Sequence, residues 1–135
     1  MRRLFATLIA ATAVLALPAL ADARPRQDPE VRLAKILEGR VAGEPVNCLY
    51  LPRIRDTQII PKTAIVYSAG SVLYVNRPKS GASQLHEDDV LVTNLHGHHL
   101  CSIDVVDLVD NTTWLPGGFV FLGDFVPYRK VAARD

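Results

Sequence analysis

Three of the four histidines stand together in His96-Gly97-His98-His99, and the fourth, His86, lies ten residues earlier. If the chain is extended there, His96 and His98 point to the same face. His86, or Asp88 from the same turn, would add a third ligand, which is enough for a zinc ion with one open position. The sequence therefore keeps open a zinc site at His86, His96 and His98, against the alternative of solvated histidines in a polar turn.

Cys48 and Cys101 are the only thiols of the chain. An even number of cysteines in an exported protein favours one intramolecular disulfide. A pair of free or metal-bound thiols is the alternative. We expect a Cys48–Cys101 disulfide, which removes both sulfur atoms from the candidate nucleophiles.

The acidic and basic clusters of the sequence lack the spacing of a known ligand-binding motif. Glu87-Asp88-Asp89 has acids that suit calcium but not the ligand pattern of an EF-hand loop, so a solvated turn is the simpler interpretation. Arg53 and Arg55, together with Arg77 and Lys79, would bind an anion only if folding brought them together. Scattered surface cations are the alternative.

The common enzyme motifs are absent from the sequence: the G-x-S-x-G elbow, H-E-x-x-H, C-x-x-C, the phosphate loop and the dinucleotide-binding glycine pattern. A hydrolase that uses one of three serines with a histidine stays open, because such triads are assembled in space. The three serines are Ser68, Ser71 and Ser83. Trp114, Phe119 and Phe121 would either line a binding surface or fill the core, and the core is the preferred interpretation.

The N-terminal segment predicts export. A positive start, Met1-Arg2-Arg3, precedes an uncharged run over residues 4–17, which is shorter than the roughly 20 residues that span a bilayer. Pro18 and two small-residue patterns follow, so residues 1–23 are expected to be a signal peptide, cleaved after Ala21 or Ala23. A retained anchor helix is the alternative, and both ordinary and twin-arginine export remain open.

The chain has 135 residues, 49% of them hydrophobic, and a net charge of +1. This length favours one domain. Loss of residues 1–23 removes Arg2, Arg3 and Asp22 from the 15 basic and 14 acidic residues, which leaves 13 of each. A neutral domain has no basic excess for a nucleic-acid backbone, and no other apolar run approaches spanning length. We therefore expect neither nucleic-acid binding nor a membrane span in the mature protein.

The start of the mature chain predicts a helix. Asp28-Pro29-Glu30 supplies a capping side chain, a proline for the first turn and an acid at the positive end of the dipole. The helix would run to about Glu38 and stop at Gly39. Its buried side would carry Leu33, Ile36 and Leu37.

Short β-branched runs follow. Residues 64–67 and 72–76, joined by a glycine-containing turn, predict a β-hairpin, and residues 90–95 and 98–101 predict a second one. Residues 119–122 and 125–128 would form a last strand that is interrupted at Gly123-Asp124. Consecutive apolar residues in several runs indicate strands that are covered on both faces.

The segment after Cys101 fits a helical wheel. Asp104, Asp107 and Asp110 share one face of the wheel, and the valines and the leucine between them share the opposite face. In a strand, the same aspartates would point to both faces. With Ser102 as its cap, we predict a short second helix here.

Four stretches carry a resemblance: EGRVAGEPVNC (residues 38–48), LYVNRP (residues 73–78), LCS (residues 100–102) and GDFVPY (residues 123–128). They resemble short exported proteins of alphaproteobacteria that have no assigned activity, over most of residues 30–128. The resemblance implies a bacterial envelope location and a paired cysteine. It carries over no catalytic residue, and the histidine cluster is not part of it.

The expected fold is α+β: a small, curved, mostly antiparallel sheet with an N-terminal helix, a short second helix and one disulfide, in a single domain over residues 24–135. The expected protein is periplasmic or secreted and non-enzymatic. It would need no cofactor and would bind an envelope partner or a small ligand. The alternative is a small metal-dependent or hydrolytic envelope enzyme that uses His96 and His98, with zinc as its cofactor.

Overall fold

The structure, a computed structural model, describes residues 25–132. The predicted signal peptide lies outside the described residues. One α-helix, α1 (Pro29–Ile36), precedes the strands. The strands are β1 (Arg40–Ala42), β2 (Cys48–Tyr50), β3 (Asp56–Ile60), β4 (Ala64–Ala69), β5 (Val72–Asn76), β6 (Asp89–Thr93), β7 (His99–Cys101), β8 (Val105–Asp110), β9 (Pro116–Phe121) and β10 (Phe125–Lys130). Short 3-10 turns cover Leu51–Arg53 and Ala82–Gln84.

The strands form three sheets. A five-stranded sheet has the order β1-β10-β5-β4-β3, a two-stranded sheet pairs β2 with β7, and a three-stranded sheet has the order β6-β8-β9. Every named strand pair is antiparallel. The expected mostly antiparallel architecture with an N-terminal helix is confirmed, and the three sheets of residues 25–132 are not closed.

The helix α1 begins as its sequence predicts. Asp28 caps it, because one carboxylate oxygen accepts a hydrogen bond from the backbone N–H of Glu30 at 2.8 Å. The last helical residue is Ile36, two residues before the expected end. The chain leaves the helix through Gly39, whose φ of +73° lies in the left-handed region that glycine adopts without strain.

Two apolar clusters lie on opposite faces of the five-stranded sheet. The cluster beneath α1 contains Leu33, Ile60, Ala64, Val66 and Val75. The other lies between this sheet and the two smaller ones, and its large members include Ile65, Leu100, Leu108, Leu122 and Phe125. Residues 64–67 of β4 are all buried, so the prediction that apolar runs are covered on both faces is confirmed for this strand.

One predicted hairpin is confirmed and the other is wrong. β4 pairs with β5 in register, Tyr67 opposite Tyr74. In contrast, β6 pairs with β8 and β7 pairs with β2, so residues 90–95 and 98–101 do not pair with each other. The histidine turn between them leads from one sheet to another rather than closing a hairpin.

The second helix predicted after Cys101 is wrong, because that segment forms strand β8. Val106 and Leu108 are fully buried, while Val105 and Asp107 alternate with them on the exposed side. Asp104 lies before the strand and Asp110 is its last residue. Only Asp107 therefore lies inside the strand, and its side chain points to solvent. Because the other two aspartates lie at the ends, their three-residue spacing is compatible with a strand as well as with a helix.

The predicted disulfide is present and joins Cys48 of β2 to Cys101 of β7, which lie directly opposite each other. The backbone N–H of Cys101 donates to a carboxylate oxygen of Asp104 at 2.6 Å. The neighbouring residues, Leu49 and Leu100, are buried in the cluster between the sheets. The bridge thus fixes two short strands whose side chains are part of the core.

The expected last strand is two strands in different sheets, since β9 belongs to the three-stranded sheet and β10 to the five-stranded one. The chain crosses between them at Gly123, where a Cβ would collide with the carbonyl oxygen of Arg77. The buried amide of Asn76 holds the crossing: its Nδ2 donates to the carbonyl oxygen of Gly123 at 2.7 Å, and its Oδ1 accepts the Gly123 N–H at 3.0 Å. A side-chain amide here takes the place of a backbone partner.

Candidate functional site

The solvent side of the three-stranded sheet is apolar, and we call it the outer face. Strand alternation sends Leu91, Val106, Leu108 and Val120 inward, so their neighbours point outward. The outer face consists of Val90, Val92, Val105, Asp107, Val109, Pro116, Phe119 and Phe121. Seven of these eight residues are apolar, which is unusual for a sheet face in contact with water.

Phe119 and Phe121 form the most prominent part of the outer face. They are 47% and 44% exposed, and their rings meet edge to face with centroids 5.6 Å apart. The preference for placing these two residues and Trp114 in the core is wrong, because all three lie on the surface. The other possibility that the sequence left open, a binding surface, agrees with their exposure.

Asp107 is the one charged residue of the outer face. The sheet register places it between Val92 of β6 and Phe119 of β9. Its side chain is exposed and forms no ion pair with any residue between positions 25 and 132. The outer face therefore presents a lone carboxylate with apolar side chains on either side.

The loop from β8 to β9 extends this surface at one end. One carboxylate oxygen of Asp110 accepts hydrogen bonds from the N–H groups of Thr112 and Thr113 and from the Thr113 hydroxyl, at 2.7–3.0 Å. These bonds hold the pKa of Asp110 below its ordinary value of 3.8. The loop displays Trp114, which is 70% exposed, with a φ of +59° that is uncommon for a bulky residue.

The structure does not gather the histidines of the predicted zinc site. His86 precedes β6 and His96 follows it, so a five-residue strand of about 17 Å separates them. His98 and His99 instead lie beside the Tyr50 ring, with ring centroids 6.3 and 5.3 Å away. Across the described part of the chain, no three His, Cys, Asp or Glu side chains are placed to hold a metal ion. Zinc at His86, His96 and His98 stays a prediction.

Two of the three acids at residues 87–89, Glu87 and Asp89, contact polar groups of the same chain. Glu87 forms an ion pair with Arg32 of α1 at 2.6 Å, which lowers the pKa of the Glu87 carboxyl. A carboxylate oxygen of Asp89 accepts the backbone N–H of His86 at 2.8 Å, and His86 Nδ1 lies 3.5 Å from the same oxygen. These contacts stabilise the segment at the start of β6. The three carboxylates of residues 87–89 are not placed to bind one metal ion together.

The basic residues and the serines are not assembled into sites. Arg55 lies beside Ser68 at one end of the β4–β5 hairpin, whereas Arg77 lies beyond the other end and pairs with Glu30 at 2.7 Å. Lys79 donates to the carbonyl oxygen of Ser102 at 3.2 Å. None of the side-chain hydrogen bonds within residues 25–132 joins Ser68, Ser71 or Ser83 to a histidine.

The sequence identified the aromatic residues of the outer face but not the face itself. The sequence predicts a helix around Asp107. The place of Asp107 between Val92 and Phe119 depends on β8 pairing with β9, the next strand, and with β6, which is not adjacent to it along the chain. The same segment also contains a strand signal. Its exposed and buried positions alternate, with Val105 and Asp107 exposed and Val106 and Leu108 buried.

Within residues 25–132, no helix has the length and apolar composition that crossing a membrane requires. The chain matches no protein-family model, no curated protein and no solved structure.

Proposed function

We propose that this chain is an exported, disulfide-bridged, non-enzymatic binding module that docks a partner protein through its outer face. The observation that carries the proposal is an exposed apolar sheet face with the single carboxylate of Asp107 at its centre. Single exposed apolar side chains are ordinary on a soluble protein, whereas a contiguous apolar patch marks an interaction site.

The aromatic pair supports a protein partner rather than a small molecule. Phe119 and Phe121 lie on a regular strand, and their rings rest against each other, so little side-chain entropy is lost when a partner covers them. Aromatic residues near the centre of an interface commonly carry much of its binding energy. No outer-face residue lines either of two pockets found among residues 25–132, whereas small-molecule sites are concave.

Charge defines the partner's chemistry. The partner presents apolar side chains around a Lys or Arg, which meets Asp107 when the surfaces close. A second copy of the same chain fits less well, because a two-fold contact centred on this face brings two Asp107 carboxylates together. Like charges that face each other in an interface oppose association.

Three features support an extracytoplasmic location, periplasmic or secreted. The Cys48–Cys101 disulfide persists in oxidising compartments, residues 1–23 have the pattern of a signal peptide, and four stretches resemble exported alphaproteobacterial proteins. Mass spectrometry of the protein from an exporting host is expected to find a new N-terminus at Asp22 or Arg24. A product that keeps Met1 in the cytoplasm contradicts this part of the proposal.

Site-specific photo-crosslinking in cells that make the protein tests the docking surface. A photoreactive phenylalanine at position 119 is expected to give a discrete adduct with one protein. The same residue at position 41 is the matched control, because Val41 is 58% exposed but lies on β1 of another sheet.

Charge reversal completes the test. Asp107→Lys, introduced beside the photoreactive residue at position 119, is expected to abolish the adduct without changing the melting temperature by more than a few degrees. An adduct that also forms from position 41, or one that survives Asp107→Lys at equal yield, overturns the proposal.

A further inference from the structure

A cleft of about 550 Å³ lies between the five-stranded and the three-stranded sheets, on the side away from the outer face. Its walls come from β3 and β6, and its apolar floor includes Tyr67 and Leu100. The volume is within the range of protein ligand sites. We call it the edge cleft, because β3 and β6 are each paired with a named strand on only one side.

The edge cleft runs along the backbone of β3. Thr57, Gln58 and Ile59 all line it, although successive residues of a strand point to opposite faces. A cavity that meets three consecutive residues must lie at the strand's open edge. That edge carries backbone N–H and C=O groups that β4, on the other side, does not use.

On the opposite wall, β6 contributes alternate residues. Asp89, Leu91 and Thr93 line the edge cleft, whereas Val90 and Val92, between them, belong to the outer face. The cleft therefore meets the inner side of β6 and the open edge of β3. One wall offers side-chain contacts and the other offers backbone hydrogen bonds.

Two other sheet edges, those of β9 and β1, offer less backbone for pairing. The open side of β9 is covered, because Lys79 N–H donates to the Phe121 carbonyl at 2.8 Å and Phe121 N–H donates to the Ser80 carbonyl at 3.0 Å. β1 has only three residues. Proteins normally cover, shorten or charge their sheet edges to prevent pairing with other chains. The five-residue β3 pairs regularly with β4 and leaves its other side to the cleft.

Charge is concentrated at the α1 end of the edge cleft. Two carboxylates, those of Glu87 and Asp89, and one guanidinium, that of Arg32, line the cleft. Arg32 forms an ion pair with Glu87 at 2.6 Å, and Asp89, whose side chain is 5% exposed, accepts the backbone N–H of His86 at 2.8 Å. Acidic side chains therefore outnumber basic ones in the lining. The Tyr67 phenol on the floor is almost fully buried, and burial raises its pKa, which keeps it a neutral hydrogen-bonding group. The floor is otherwise formed by apolar residues such as Ile59, Leu91 and Leu100.

We infer that the edge cleft binds an extended peptide segment of another protein, which adds to β3 as a further antiparallel or parallel strand. Its backbone pairs with the open edge of β3, and its alternate side chains rest on the apolar floor. A Lys or Arg of the segment lies at the end that holds Glu87 and Asp89. This site is independent of the outer face, since β6 separates the two.

Random peptides displayed on phage and selected on the purified, oxidised protein provide the test. The selected peptides are expected to share alternating apolar residues and a basic residue, and to bind in solution. N-methylation of every second peptide amide is expected to weaken binding at least tenfold for one set of alternate amides and less than twofold for the other set. This pattern is characteristic of strand pairing, and it is measured on the unaltered protein.

Two neighbouring substitutions on β6 separate this site from the outer face. Thr93→Arg places a bulky cation in the edge cleft and is expected to weaken peptide binding at least tenfold. Val92→Arg, one residue away on the outer face, is expected to leave peptide binding within twofold. Failure to select any peptide, equal effects of the two variants, or insensitivity to N-methylation at both sets of amides overturns the inference. None of these outcomes bears on the adduct formed from position 119.

Discussion

Three aspartates at equal spacing, Asp104, Asp107 and Asp110, have three different roles in this chain. Asp104 accepts the backbone N–H of Cys101 next to the disulfide, and Asp110 accepts three hydrogen bonds that shape the β8–β9 loop. Asp107, between them, forms no side-chain hydrogen bond or ion pair with the described residues 25–132, and it faces solvent from the middle of the outer face. At the scale of the residue, two carboxylates stabilise turns, and the third is the one that the proposed function uses.

The Asp110 loop is expected to loosen in acid. The hydrogen bonds from Thr113 and Thr112 lower the folded-state pKa of Asp110 below 3.8, so they stabilise the loop above that pH and lose this contribution as the pH falls through the lowered value. In an NMR titration, the Thr112 and Thr113 amide signals should shift with a midpoint below 3.8. Asp110→Asn should abolish the titration. A midpoint at or above the ordinary value contradicts the proposed hydrogen bonding.

At the scale of the element, β8 shows how one sequence can satisfy two periodicities. Its aspartates recur every three residues, as on a helix, while Val106 and Leu108 recur every two and are fully buried. The burial of these two side chains against the opposite sheet outweighs the helical pattern of the acids. Asp104 and Asp110 are satisfied in turns at either end, so the strand accommodates them without burying a charge.

Two truncations on β8 test this assignment. Leu108→Ala is expected to lower the free energy of unfolding by about 2–5 kcal/mol, because it leaves a cavity in a fully buried position. Val105→Ala, on the outer face, is expected to cost less than about 1 kcal/mol, because Val105 is 40% exposed. Urea unfolding followed by circular dichroism measures both. Equal losses would contradict the alternation of buried and exposed residues.

Elements whose signals are local could be predicted from the sequence, and those that depend on distant partners could not. Asp28 caps the start of α1, and Gly39 follows its end. A glycine-containing turn connects β4 to β5 in a hairpin. β6 pairs with β8, the next strand but one, and β7 pairs with the distant β2. The adjacency of residues 90–95 and 98–101 therefore suggests a hairpin that does not form. The aromatic residues of the outer face were identifiable by type, but their exposure is set by which sheet carries β9.

At the scale of the whole molecule, the chain is layered. The helix α1 covers one face of the five-stranded sheet, and the two smaller sheets cover the other face. The proposed docking surface, which is the outer face, and the proposed peptide site, which is the edge cleft, lie on different sides of the three-stranded sheet. If both proposals hold, one partner covers the outer face while another pairs with the open edge of β3, and neither blocks the other.

The disulfide is expected to contribute to the stability of all three layers. It closes a loop of 53 residues, for which chain entropy alone gives about 4 kcal/mol. The double variant Cys48→Ser with Cys101→Ser should lower the free energy of unfolding by up to that amount in urea. The oxidised wild type treated with a reductant should approach the same value. An unchanged unfolding midpoint for the double variant would show that packing of Leu49 and Leu100 alone holds β2 against β7.

The order of strands in the five-stranded sheet determines when the fold can form. β10, the last strand, lies between β1 and β5, so the first strand has no neighbour in this sheet until residue 130 is in place. A chain that emerges from its N-terminus, during synthesis or through a secretion pore, can close the β4–β5 hairpin early but not the sheet. Until then, β1 and β5 lack the neighbour that β10 later provides. Sheets that are built from distant segments form slowly. The interval before β10 arrives is when this protein is most exposed to pairing with the wrong chain.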